Sequence, residues 1–188
     1  MDKETKNMVG IALFTAIVVV LQFLGGGIRF GMFSISLVLV PIVVGAAVYG
    51  WQAGALLGAA FGVAVLLSGD AAAFMVVHPL GTVLTVMCKG ILCGLCAGYV
   101  YRLLQARSSL GAVLTAALVC PVVNTGVFLL GCRLFFYQTV QAWGVAAGFD
   151  SVAGYMFFGL AGINFLIEVG VNLLMAPVIT RLIKVGKR

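Results

Sequence analysis

Side chains that carry chemistry are scarce in this sequence. Its 188 residues include a single histidine, His78, and only five acidic side chains. A zinc site draws on several His, Cys or carboxylate ligands at set spacings. No such set is present, so no metal or other cofactor is expected. Charged residues make up 9% of the chain, and no basic cluster is interleaved with aromatics. That pattern argues against nucleic-acid binding. There is no Gly-x-x-x-x-Gly-Lys-Ser/Thr phosphate loop, so the chain does not itself hydrolyse ATP. A rhomboid-like intramembrane protease needs a serine in a Gly-x-Ser-Gly setting and a histidine on a helix. The serine motif is absent and His78 precedes a proline, so this enzyme class is not expected. No soluble domain, low-complexity linker or internal repeat stands out.

Apolar residues and glycine are abundant. Hydrophobic residues make up 63% of the chain, with 25 glycines and a mean hydropathy of +1.23. That balance is foreign to soluble domains and predicts an all-α integral membrane protein. A bilayer span takes about 20 apolar residues. Six spans are predicted in one membrane domain covering the whole chain: residues 8–24, 33–49, 52–69, 79–101, 110–135 and 153–182. The first has no small-x-small cleavage site after it and is expected to stay as a mature helix rather than a signal peptide. Lys3, Lys6, Arg102, Arg107, Arg181, Lys184, Lys187 and Arg188 fall on one side of a six-span arrangement, against Arg29 and Arg133 on the other. By the positive-inside rule both termini are cytoplasmic. Cys93 and Cys96 form a Cys-x-x-Cys, but among glycines in an apolar run, where thiols serve as small apolar filler.

Gly50, Gly54, Gly58 and Gly62 recur every four residues, as do Gly90, Gly94 and Gly98. Each series makes one smooth helix face and predicts backbones in near contact. Pro41 is read as a kink within the second span. The first outer loop, Gly25-Gly26-Gly27-Ile28-Arg29-Phe30-Gly31, reads either as a hinged gate or as a tight turn. The segment from Ser68 to Pro79 is read as a second outer loop, with Asp70 lining an entrance or capping and His78 in solvent. Residues 136–152 are read as the longest loop, whose aromatics mark the interface or cover a solute.

Against this background, polar residues inside the spans carry the functional signal. Asn164, Glu168 and Asn172 follow i, i+4, i+8 and share one helix face. A charge at bilayer depth costs several kcal/mol and faces the bundle interior or a wet cavity. Glu168 is therefore a candidate ligand group, with a structural ion pair as its plainer role. Lys89 stands 13 residues before Arg102, and Glu168 stands 13 before Arg181. With both arginines at the inner interface, Lys89 and Glu168 lie at similar depth. Asn124 follows Ala112, Ala116 and Cys120 on a line of small residues, and Pro121 beside it frees a backbone carbonyl. Lys89, Asn124, Asn164 and Glu168 are thus expected to converge on one polar pocket. A buried cation with amides suits a carboxylate or polar carbonyl ligand.

Six short helices, a glycine-rich first outer loop and a polar last helix resemble the substrate-binding S component of energy-coupling factor (ECF) transporters. The segment FSISLVLVPIVVGAAVYGWQAGALLGAAFG resembles that family's second and third helices. CPVVNTGVFLLG resembles its fifth, and Ala12-x-x-x-Ala16 the small-residue motif that contacts a scaffold subunit. The resemblance implies a high-affinity binder of a vitamin or similar micronutrient in the cytoplasmic membrane of a bacterium. It further implies docking through Ala12 and Ala16 on a membrane scaffold with two ATP-hydrolysing subunits. Lys89, Asn124, Arg133, Asn164 and Glu168 would contact the ligand, and Gly26, Gly27 and Arg29 would form a gating loop. The Lys-x-Asp first-loop pattern of riboflavin binders is missing. So are the tryptophan-rich segment of thiamin binders and the N-terminal histidine of nickel and cobalt binders. Folate, pantothenate, a cobalamin precursor, a queuine-like base or an atypical flavin stay open. The competing reading is a self-sufficient oligomeric carrier or channel, with Lys89 and Glu168 as an ion path.

Overall fold

In lipid a backbone finds no water to bond, so long apolar runs satisfy themselves as helices. The structure, a computed structural model, describes residues 2–25, 29–30, 33–34 and 37–186. Among these, five helical stretches are long and apolar enough to cross a membrane: Glu4–Gly25, Trp51–Ser68, Pro79–Leu104, Ser109–Phe135 and Val152–Arg181. Together with a shorter apolar helix, Leu39–Tyr49, they form the bundle of an integral membrane protein. In chain order the elements are α1 (Lys3–Gly25), β1 (Arg29–Phe30), β2 (Phe33–Ser34), α2 (Leu39–Tyr49), α3 (Trp51–Ser68), α4 (Ala72–Val77) and α5 (Pro79–Leu104). They continue as α6 (Ser109–Phe135), α7 (Tyr137–Ala146), α8 (Val152–Gly154), a π-helix (Tyr155–Ala161) and α9 (Gly162–Gly186).

The second span differs most from expectation. It was expected to run over 33–49, yet α2 has 11 residues, about 16 Å at 1.5 Å per residue. Phe33 and Ser34 instead pair antiparallel with Phe30 and Arg29. The reason is visible in Phe33-Ser34-Ile35-Ser36-Leu37, where apolar and polar residues alternate with the period of a strand. Pro41 consequently sits in the first turn of α2. There its missing N–H leaves no bond unmade, so the mid-span kink does not arise. Helix α2 packs on α1, α3, α5, α6 and α9. Being surrounded, it is apolar on every side.

The spacing predicts backbones in near contact, and the two glycine faces make that contact with each other. A Cβ built on Gly58 would overlap the carbonyl oxygen of Gly90, and one on Gly94 the carbonyl oxygen of Gly54. Helices α3 and α5 therefore cross backbone to backbone. The core around them is built from Leu39, Ile42, Leu57, Phe61, Val113 and Ile179.

Two expected loops contain helices. Helix α4 lies between Ser68 and Pro79, and α7 fills most of 136–152. Both are held by an aromatic cluster rather than by their own length. The ring of Phe74 packs edge-on against Phe128, Phe136 and Trp143, with centroids 5.7, 4.9 and 5.3 Å away. His78 accepts a 2.9 Å bond at Nδ1 from the Gly81 amide, which makes it the N-cap of α5.

The last span is not one helix. Its seven-residue π turn ends at Gly162, whose φ of 24° is a backbone angle that side chains rarely adopt. Beyond it, α9 runs on through Pro177.

Candidate functional site

One end of the bundle encloses a cavity with about 790 Å³ of empty space, its open mouth included. Helices α1, α3 and α6 finish there, and α5 and α9 begin there. Arg102, Arg107 and Arg181 lie toward the opposite ends of their helices or just past them. The cavity thus occupies the half of the bundle away from Arg102, Arg107 and Arg181.

Each wall contributes a polar group. From α5 come Thr82, Thr85 and Lys89, whose i, i+3, i+7 spacing puts them on one face. The Lys89 ammonium lies 5.4 Å from the ring centroid of Phe61 and 5.7 Å from that of Phe128. It is surrounded by protein yet keeps accessible surface, which is the cavity wall. The carboxylates of Glu168 and Asp70 line the same cavity. Helix α6 brings Asn124, and α9 brings Asn164 and Glu168. Gln22, at the end of α1, donates from Nε2 to Asp70 and, at 3.3 Å, to the Ser68 hydroxyl. That pair ties α1 to the turn before α4. Phe74, Phe128, Phe136 and Phe165 supply the apolar surface.

Some of these groups have no internal partner. Among the described residues, Asn124 Oδ1, Asn164 Oδ1 and Thr85 Oγ1 are buried and make no hydrogen bond. Leaving one buried polar atom unpaired costs about 1–3 kcal/mol. Three such atoms sit on the walls of one cavity, where an entering solute can match them; a fourth, Asn172 Oδ1, lies away from those walls.

Lys89, Asn124, Asn164 and Glu168 are therefore brought together on one cavity. Asn172, expected on the same face as Glu168, lies beneath it: its Nδ2 donates to the Glu168 carbonyl at 2.8 Å and it is 1% exposed. It does not line the cavity. Neither does Arg133, which is exposed and stacks 4.4 Å from the ring centroid of Tyr137. Ala12 and Ala16 are exposed on α1, away from its packed side. Gly26 and Gly27 lie outside the described residues, and Arg29 is described only as backbone in β1.

Sequence reasoning passed over Gln22, Thr82 and Thr85. The helical spacing of the two threonines to Lys89 was a usable signal. Gln22 had a weaker one, as a lone amide in the last turn of an apolar helix.

No curated protein and no solved structure matches the chain. One family profile does: that of the ECF transporter, substrate-specific component, over residues 6–180.

Proposed function

We propose, for a chain that belongs to the family of ECF transporter substrate-specific components, that the cavity bounded by α5, α6 and α9 is where its substrate is held. The family makes the chain a substrate-binding transporter subunit of the membrane rather than an enzyme. The observation that carries the placement is the convergence of Lys89, Asn124, Asn164 and Glu168 around unpaired buried oxygens. A preformed concave site with a few convergent polar groups is the usual form of a small-molecule pocket.

In this reading the substrate is a vitamin or related micronutrient, captured on the outer side of a bacterial cell membrane. With the basic ends of the helices inside, the cavity faces out. The end of α1 reaches the cavity, and the glycine-rich segment that follows it in sequence, with Gly26, Gly27 and Arg29, serves as the gate. Ala12 and Ala16 present a small-residue face on exposed α1, suited to close approach by another membrane helix. They dock the chain on a scaffold subunit, and two ATP-hydrolysing subunits supply the energy.

The test is mass spectrometry of small molecules released from the purified, detergent-solubilised chain. A single vitamin-like compound is expected, present in the parent protein and lost from Glu168→Ala. Retention of that compound by Glu168→Ala at parental level would remove Glu168 from the site. Uptake of the compound by cells is expected to require ATPase subunits; uptake without them would favour a self-sufficient carrier.

A further inference from the structure

We infer that the ligand of this cavity is an uncharged, planar nitrogen heterocycle with a donor beside an acceptor on its edge, and not a carboxylate or phosphate. This rests on the cavity being the substrate site.

The sign of the charge is the first argument. Among the described residues lining the cavity, Lys89 is the one cation, against two carboxylates, Asp70 and Glu168. Fully ionised, they sum to −1. Both carboxylates line the same cavity as the ammonium, so a ligand entering it meets anionic groups as well as the cation. An incoming carboxylate would add a negative charge to a site that already holds two. Like charges brought together away from water repel strongly, because little solvent screens them. The ammonium alone suggested an acidic ligand; Asp70, far from Glu168 in sequence, removes that preference.

Hydrogen-bond chemistry is the second. The oxygens of Asn124 and Asn164 are buried without partners. A primary amide offers C=O and N–H side by side. That pair complements a ring edge with one donor next to one acceptor, the geometry by which asparagine reads adenine. Thr85 Oγ1, also unpaired, can accept or donate. Phe74 and Phe128 supply flat apolar surface beside these groups, which suits an aromatic ring.

The experiment uses the purified full chain. It is incubated with an equimolar mixture of adenine, thymine and nicotinamide (uncharged) and nicotinate, benzoate and 4-aminobenzoate (carboxylates). Free solutes are removed by gel filtration. Everything retained, including compounds carried from the cells, is identified by mass spectrometry. The parent chain, Asn124→Leu, Glu168→Gln and Arg133→Ala are compared. Retention of uncharged heterocycles over carboxylates by roughly tenfold, about 1.4 kcal/mol, is expected. It should be lost in Asn124→Leu, kept in Arg133→Ala and narrowed in Glu168→Gln, which takes away one negative charge. That narrowing is a readout a merely structural Glu168 would not produce, and it serves if Asn124→Leu fails to fold. A carboxylate or phosphate compound, retained by the parent and lost from the cavity variants, would overturn the ligand class while leaving the site in place. A chain that retains nothing, or a folded Asn124→Leu chain that retains the same compounds at parental level while Glu168→Gln leaves the preference unchanged, would overturn the site itself.

Discussion

Replacing Gly58 by alanine adds one methyl group where α3 meets α5, and the space for it is occupied. The new Cβ would overlap the carbonyl oxygen and carbon of Gly90. Both are backbone atoms of a long helix, so no side-chain rotation relieves the clash and the helices must part. Parting them also disturbs the reciprocal contact, since a Cβ on Gly90 would meet the oxygen of Gly58. Overpacking of this kind costs typically 1–3 kcal/mol, and a backbone neighbour puts it at the upper end, about 2–3. For a chain this long each kcal/mol moves Tm by roughly 2–4 °C, so Gly58→Ala should lose about 5–10 °C. Two glycines provide the scale. At Gly62 the nearest atom to an added Cβ is Met87 Sδ at 3.0 Å, with backbone no nearer than the Val86 oxygen at 3.2 Å, so the loss should be smaller. At Gly126 nothing lies within 4 Å. There alanine relieves the roughly 1 kcal/mol that glycine costs a helix, and Tm should hold or rise. The assay is thermal unfolding of the detergent-solubilised variants, followed by circular dichroism. An unchanged Tm for Gly58→Ala, or a larger loss at Gly126 than at Gly58, would refute the backbone-to-backbone crossing.

Further expectations concern function and the aromatic cluster. Ala12→Trp should abolish co-purification with a scaffold subunit while leaving small-molecule retention by the isolated chain unchanged; normal assembly would take the docking role from this face. Arg133→Ala removes only an exposed contact to Tyr137, worth about 0.5–1 kcal/mol, so ligand retention should stay within about twofold of the parent by titration. Phe74→Ala deletes the ring that joins α4, α6 and α7. It should cost about 3 kcal/mol or more, read as a lowered Tm, together with faster ligand release from a cavity that has lost a wall.

What could be read in advance was what periodicity encodes. The four-residue glycine spacing announced close backbone approach, which α3 and α5 make with each other, and the i, i+4 spacing placed Asn164 and Glu168 together. Equal distances from Arg102 and Arg181 put Lys89 and Glu168 at one depth. What escaped depends on tertiary structure. Helices as short as α4 and α7 are not stable by propensity alone; Phe74 and its neighbours hold them, and those contacts join residues far apart in sequence. Asp70 meets Gln22 across 48 positions, a pairing no local pattern announces. The shortening of α2 was legible in the alternation of Phe33-Ser34-Ile35-Ser36, but its high hydropathy masked the period. Nothing in Tyr155-Met-Phe-Phe-Gly-Leu-Ala161 distinguishes a π turn from an α one.

An unbroken helix behaves like a drive shaft: one residue added at the top turns everything below it by about 100°. Had the last span been such a shaft, any change of length in its outer part would have swung Asn164 and Glu168 off the cavity. The wide turn over Tyr155–Ala161 and the break at Gly162 act as a slipping clutch between the two parts. Within that turn Phe157 and Phe158 face outward from the bundle and can be exchanged while Glu168 keeps its aim, whereas Leu160 and Ala161 line the cavity and tie the two parts together. A lineage adapting this chain to another lipid surround would find its freedom at those two rings, where no wall of the cavity is touched.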